Sequence, residues 1–343
     1  MKKFINDRER FVEDSLLGIL QAYPDYLASH PNDLKAIAKR FPDDSKVSII
    51  TGGGYGHLPL FLGYVGEGLC DGAAVGNIFS TPSSNTVFLT TSLAPKKRGI
   101  LYIIGNYLGD IMNFEMGADL AHDAGIKTRT VIVSDDAASA PRSEWKDRRG
   151  VAGLVFAYKI AGAAARRGKS LDEVYDLTAR ACERMASYGA AFTPCQLPDT
   201  NAPVFAIGED EMELGIGMHG EPGVRRTKIM QSEDIAELAV GAISEDLRLK
   251  PGDDAAVILN GLGATPSEEL HLFYSDALKS LRNRGISVSW KRVGECATSL
   301  EMSGASICMM KLDGELLGLL DEPAFSPFVH FFSGKRILPG EGV

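Results

Sequence analysis

Short apolar runs alternate with longer stretches of helical periodicity through most of the chain. Residues 47–50, 99–104, 128–133, 204–207, 255–259, 286–290 and 306–312 have the length and composition of buried strands. Between them, residues 110–124, 151–167, 171–185, 232–247 and 266–284 carry apolar positions at helical spacing. This alternation predicts an α/β fold, with two α/β domains that each hold a largely parallel or mixed sheet flanked by helices. Pro194, Pro198 and Pro203 interrupt regular structure over 188–203, so the domain boundary is expected there, giving 1–190 and 191–343. In such folds ligands sit beyond the carboxyl ends of strands, which directs attention to the loops that follow them.

Composition narrows the class. With 343 residues, 45% hydrophobic and 24% charged, the chain can bury a core in each of about two domains. A net charge of −9 argues against a general nucleic-acid or anionic-membrane binder. Cys70, Cys182, Cys195, Cys296 and Cys308 are scattered, with no CxxC and no zinc spacing, so reduced thiols in a cytoplasmic protein are expected. Lys2 and Lys3 resemble the start of a signal peptide, but the polar residues 6–10 deny it an apolar segment. No apolar run approaches the ~20 residues of a membrane span.

Three loops stand out chemically. The run Gly52-Gly53-Gly54-Tyr55-Gly56-His57 follows the first strand, where consecutive glycines let backbone N–H groups converge on a polar ligand. It is not a dinucleotide fingerprint, because Pro59 and the spacing after Gly54 spoil that pattern. Gly105-Asn106-Tyr107-Leu108-Gly109-Asp110 ends the next strand; there Asp110 is expected to cap the following helix, with one oxygen free for a substrate hydroxyl. The third loop places His219 among Gly217, Gly220 and Gly223, with Glu221-Pro222 stopping regular structure. A lone histidine is more often structural, but small neighbours on a loop let this imidazole approach a small molecule. By contrast, Gly162 to Ser170 only resembles a phosphate-binding loop. It has one residue too many between its glycines and ends a helix, with Ser170 and Glu173 forming a capping box for the next. His30, His122, His271 and His330 lie in helical or terminal contexts and are read as structural.

Taken together, these segments resemble the K subunit of dihydroxyacetone kinase. The resemblance extends through Gly63 to Gly68, Asn106 to Phe114, Arg148 to Gly153, Lys159 to Ala163, Gly208 to Glu213 and Gly217 to Arg226, in the family's order. It implies a cytoplasmic homodimer that holds a short-chain hydroxyketone covalently, with His219 adding through a ring nitrogen to the ketone carbon. His57 and Asp110 then assist deprotonation of the terminal hydroxyl, and Gly54, Tyr55, Gly56 and His57 hold the substrate. The resemblance places no cofactor on this chain. ATP or ADP with magnesium is expected on a separate L-type subunit, a helical domain for which nothing after residue 330 has the length. Four positions depart from the family: Tyr55 replaces serine, Leu58 glutamate, Gly105 a substrate-contacting lysine and Leu108 threonine. They imply a reshaped pocket rim, with Tyr55 filling the space of the lysine, and a substrate such as erythrulose or dihydroxyacetone itself. A ketose sensor or transcriptional co-regulator of the same family is the alternative, and retention of His57 and Asp110 favours the kinase.

Overall fold

The computed structural model describes residues 3–198, 200 and 202–332. Its elements run α1 (Phe11–Ala22), β1 (Leu27–His30), β2 (Asp33–Lys39), β3 (Ser48–Tyr55), β4 (Gly72–Ile78), α2 (Ser84–Leu93), β5 (Ile100–Gly105), α3 (Leu108–Asp123), β6 (Thr128–Val133), α4 (Gly153–Arg166) and α5 (Leu171–Cys182). They continue through β7 (Met185–Thr193), β8 (Glu211–Leu214), β9 (Arg225–Lys228), α6 (Ser232–Asp246), β10 (Asp254–Gly261), α7 (Ser267–Asn283), β11 (Ser287–Glu295), β12 (Ser303–Lys311) and α8 (Gly314–Leu320).

Two six-stranded sheets result, in the orders β1-β2-β4-β3-β5-β6 and β11-β10-β12-β7-β8-β9. In the first, β4, β3, β5 and β6 are mutually parallel, and β1 and β2 add an antiparallel edge. The second departs from the parallel pattern: only β10 and β11 pair in parallel, while β12, β7, β8 and β9 are antiparallel. Both are mixed sheets flanked by helices, the α/β architecture that the alternation predicts. Residues 204–207 are a correction. They form no strand: pairing stops after a single bridge, with the Val204 amide donating to the Cys195 carbonyl at 3.1 Å, and Val204 and Phe205 pack as a loop beside Ile216, Leu262 and Met302.

The expected boundary at 190/191 falls inside β7, which belongs wholly to the second sheet. Between the sheets lies α4, buried from Gly153 to Ala165, and its small residues are what allow that. A Cβ on Gly162 would meet the Gly68 carbonyl at 2.3 Å, so the helix can approach that loop only as glycine. The largest apolar cluster joins Ile49, Leu101 and Val133 of the first sheet to Ile258 and Cys308 of the second through this helix. After α4, Gly168 turns the chain at φ +76° and Ser170 and Glu173 form the capping box that starts α5.

The glycines of β3 also have a packing cause. A Cβ on Gly53 would lie 2.3 Å from the Phe61 ring, and one on Gly54 2.7 Å from the Ser80 amide nitrogen. The strand therefore continues through the glycines to Tyr55, and the turn carrying Phe79 closes directly over it.

Candidate active site

His57 lies just past β3, beyond Gly56, whose φ of +109° favours glycine. Its ring is 1% exposed and stacks on Phe79, with centroids 4.8 Å apart. Nδ1 lies 2.7 Å from the Thr298 carbonyl, which only accepts, so Nδ1 carries the proton and donates. Nε2 is then bare, and it is buried without a partner. Burial, reinforced by the nearby His219, pushes the His57 pKa down to about 3 and keeps the ring neutral.

His219 arrives from the second sheet on the loop between β8 and β9. Gly215 and Gly220 take φ of +75° and +83°, and a Cβ on Gly223 would meet the Leu214 carbonyl at 2.1 Å. Glu221 fastens the histidine twice: its Oε2 accepts from the His219 amide at 2.8 Å, and its Oε1 accepts from Nδ1 at 2.9 Å. Burial raises the Glu221 carboxyl, but the hydrogen bond and charge of His219 outweigh it and hold it at about 2. The His219 ring stands edge-on to three others, at 4.7 Å from His57, 4.8 Å from Tyr107 and 5.3 Å from Phe79.

Asp110 corrects one expectation. The N-cap of α3 is Tyr107, and Asp110 lies in the first turn, 6% exposed. Its Oδ1 is buried without a partner. Burial raises its pKa to about 6, against a hydrogen bond from Thr81 and the charge of His219. The Tyr107 hydroxyl is likewise buried and unpaired, and burial pushes its pKa well up. Three residues near one histidine thus carry an orphaned buried polar atom each, the kind of group a polar ligand satisfies. Among the described residues no group of three or more His, Cys, Asp or Glu is placed to hold a metal ion. No described helix is long and apolar enough to cross a membrane.

The Dak1 domain matches residues 17–328 of this sequence. The chain belongs to the Dak1 family, that of the dihydroxyacetone kinase K subunit. The dihydroxyacetone-binding subunit DhaK of the PTS-dependent dihydroxyacetone kinase 2 of Listeria innocua is 40% identical over 329 residues, covering 96% of this chain and 99% of that subunit. A D-erythrulose kinase of Mycolicibacterium smegmatis is 39% identical over 341 residues, and there the match covers 99% of this chain but 58% of the kinase. Among solved structures, the dihydroxyacetone kinase operon co-activator DhaQ superposes with a TM-score of 0.85 at 32% identity, covering 91% of this chain and 96% of DhaQ.

This Dak1 chain deploys its departing residues differently from expectation. Tyr55 does not fill the space beside Gly105. Its hydroxyl is 2.5 Å from Ser15 Oγ on α1, and its ring packs with Val12 and Leu16, where Leu58 also lies. Only the backbone of Tyr55 remains near the site, its carbonyl accepting from the Phe79 amide. The carbonyls of Gly56 and His57 are taken by Leu300 and by Leu60 and Thr298. The space beside Gly105 holds Tyr107, whose ring lies 3.2 Å from where a Cβ at 105 would be. Leu108 points outward, 74% exposed, and with Met112, Met116 and Leu120 forms an apolar ridge along α3.

Glu221, Thr298, Phe79 and Tyr107 are the site residues that sequence reasoning misses. Glu221 carried a signal, a carboxylate two residues past a loop histidine. Thr298 carried none, since it contributes a backbone carbonyl from 241 residues away.

Proposed function

We propose that this chain is the substrate-binding subunit of a glycerone-kinase-type phosphotransferase. It holds a short-chain hydroxyketone as a hemiaminal on His219 while a separate nucleotide-bearing subunit phosphorylates it. The observation that carries this reading is that the His57 and Tyr107 rings pack edge-on against His219 and Asp110 lies within reach of its charge, while His57 Nε2, Asp110 Oδ1 and the Tyr107 hydroxyl are each buried without a partner.

The chemistry follows from the tautomers. With Nδ1–H donated to Glu221, the Nε2 lone pair of His219 is free to form a C–N bond to the ketone carbon. The carbonyl π pair moves onto oxygen, and the Nδ1 proton, relayed through Glu221, is the one that oxygen receives, so the hemiaminal is neutral and Glu221 ends ionised as it began. Glycerol has no such carbon, so covalent capture selects ketoses over polyols of the same shape. Next, the terminal hydroxyl gives its proton to Asp110 or to His57 Nε2 as its oxygen attacks the donor's phosphorus, and the bond to the leaving nucleotide breaks. An acceptor with a pKa of about 6 is mostly ionised at neutral pH yet basic enough to share that proton.

The donor belongs to an L-type partner carrying ATP, or ADP recharged by a relay, with magnesium. The α3 ridge, which begins two residues before Asp110, supports such a partner, because a row of four exposed apolar side chains on one helix face is the kind of surface that partners cover. Near-equal identity to a dihydroxyacetone-binding subunit and to an erythrulose kinase supports either ketose as substrate. The subunit is read as a cytoplasmic homodimer.

A second reading, a ketose sensor acting through a protein partner, draws on the likeness to DhaQ. Intact mass after incubation with each ketose tests the capture step: an adduct that persists in His219→Ala refutes it. Adding a cognate L subunit with ATP then separates the readings, since a sensor captures ketose and produces no phosphorylated sugar.

A further inference from the structure

Asn260 stands near the carboxyl end of β10, 1% exposed, with every hydrogen-bonding position of its side chain in use. Oδ1 accepts from the amides of Cys296 at 2.9 Å and Ala297 at 2.8 Å. Nδ2 donates to the Ala297 carbonyl at 2.8 Å and to Ser306 Oγ at 3.1 Å. Three of these four bonds grip one irregular segment between β11 and β12.

That segment leads directly to His57. The Thr298 carbonyl accepts from His57 Nδ1, the Thr298 amide donates to the His57 carbonyl at 3.2 Å, and the Thr298 hydroxyl donates to the Leu58 carbonyl at 2.9 Å. Leu300 completes the clasp through its amide, which donates to the Gly56 carbonyl at 2.8 Å. A backbone carbonyl has no rotamer of its own, so its direction is set by whatever fixes the residues around it. Here no helix or strand spans 296–302, and Asn260 supplies the ladder that regular structure would otherwise provide.

We infer that Asn260 is a positioning residue for His57: by fixing residues 296–298 it aims the Thr298 carbonyl at Nδ1 and so selects the tautomer that leaves Nε2 bare in the site. The catalytic consequence rests on the reading of His57 given above, whereas the tautomer itself does not. An outer partner of this kind governs which ring nitrogen can accept a proton.

The test compares wild type with Asn260→Asp, which keeps an acceptor for the Cys296 and Ala297 amides, and Asn260→Ser, which is too short to reach them. Side-chain 15N shifts of His57, from long-range 1H–15N correlation on the free protein, are expected to show protonated Nδ1 in wild type. A mixed tautomer is expected in Asn260→Ser and an intermediate population in Asn260→Asp. With the L subunit and a ketose, kcat is expected to fall tenfold or more in Asn260→Ser, with capture on His219 unchanged within twofold. A merely structural role predicts the reverse: capture and melting temperature fall together while the tautomer stays fixed, and that outcome overturns the inference. So does a wild-type His57 protonated at Nε2, which needs no variant. Should no ketose be phosphorylated by any form, the proposed function fails, and the nitrogen shifts still decide the role of Asn260.

Discussion

His57 and His219 meet edge to face, 4.7 Å between ring centroids at 80°, and each has its Nδ1 committed to a fixed acceptor. The two acceptors differ in kind. A neutral carbonyl holds His57, and burial keeps that ring uncharged; His219 is held by a carboxylate that stays ionised to about pH 2. One site thus contains two imidazoles with bare Nε2 atoms but unequal tolerance for charge. The ring that must pass through an imidazolium as it adds to a carbonyl is the one beside the carboxylate. His57, in apolar surroundings, suits a transient proton acceptor.

Asp110 gives this arrangement a pH signature. If its ionised form is needed, phosphoryl transfer should rise with pH through about 6, with no second limb from His57, which is neutral above about 3. Asp110→Asn should abolish that limb and lower kcat by 10²–10³. Stability should move the other way. The folded pKa lies above the ordinary 3.8, so the buried carboxyl costs stability that grows as pH rises from 3.8 to 6 and is constant above. Two units correspond to at most ~3 kcal/mol. Asp110→Asn should therefore match wild type in denaturant melts near pH 3 and exceed it at pH 7. Equal stability at both pH values would show that burial does not strain this group.

Glu221 should control capture. Glu221→Gln keeps an acceptor for Nδ1 but removes the carboxylate that stabilises the transient imidazolium and relays its proton, so the His219 adduct with dihydroxyacetone or erythrulose should form about tenfold more slowly, with lower occupancy at a fixed early time. The carboxyl is held below its ordinary 4.5, so its contribution to stability is complete above 4.5 and is lost as pH falls toward 2. Adduct occupancy by intact mass, followed from pH 7 to pH 4, reads the first effect. Acid unfolding curves of the two proteins read the second.

What could be read in advance follows from how each element is stabilised. β5 and β6 were legible to within a residue because β-branched and other apolar residues dominate them and helices pack against their sheet. β4 and β7 were not, since Gly72-Ala73-Ala74-Val75-Gly76 and Ala186-Ser187-Tyr188-Gly189-Ala190 are mostly small residues whose burial depends on close neighbours. The short strand β8 and the charged edge strand β9 pair only through tertiary context, and 204–207 has strand composition but only one bridging hydrogen bond. At the site, loop glycines and polar side chains marked His57, Asp110 and His219. Of the residues that orient them, Glu221 has a local pattern, a carboxylate two residues past the histidine, whereas the Thr298 carbonyl and the buried Asn260 amide have none. Tyr55 was misplaced because composition cannot tell which face of β3 its ring takes.

The ridge on α3 should matter to the partner and not to the ketose. Met112 and Met116 are 53% and 54% exposed and one turn apart, on the face opposite buried Phe114. Replacing both by glutamate puts charge on the proposed contact without touching His57, Asp110 or His219. Capture by intact mass should stay unchanged, while the KM for the nucleotide-bearing subunit rises about tenfold or more. An unchanged KM would place the partner elsewhere.

Tyr107 separates the needs of the empty site from those of the occupied one. Its hydroxyl is buried without a partner, a cost of about 1–3 kcal/mol that a phenylalanine of the same shape does not carry. Tyr107→Phe should therefore raise the melting temperature of the free protein, with the ring contact to His219 at 4.8 Å retained. If the hydroxyl exists to meet a ketose oxygen, the same change should lower capture on His219 by about five- to tenfold, because the oxygen then loses its donor inside the site. The gain in stability and the loss in binding have one cause, so they should appear together. Greater stability with undiminished capture would mean that the ketose oxygens lie against His57 and Asp110 alone, and that Tyr107 shapes the wall of the site by its ring.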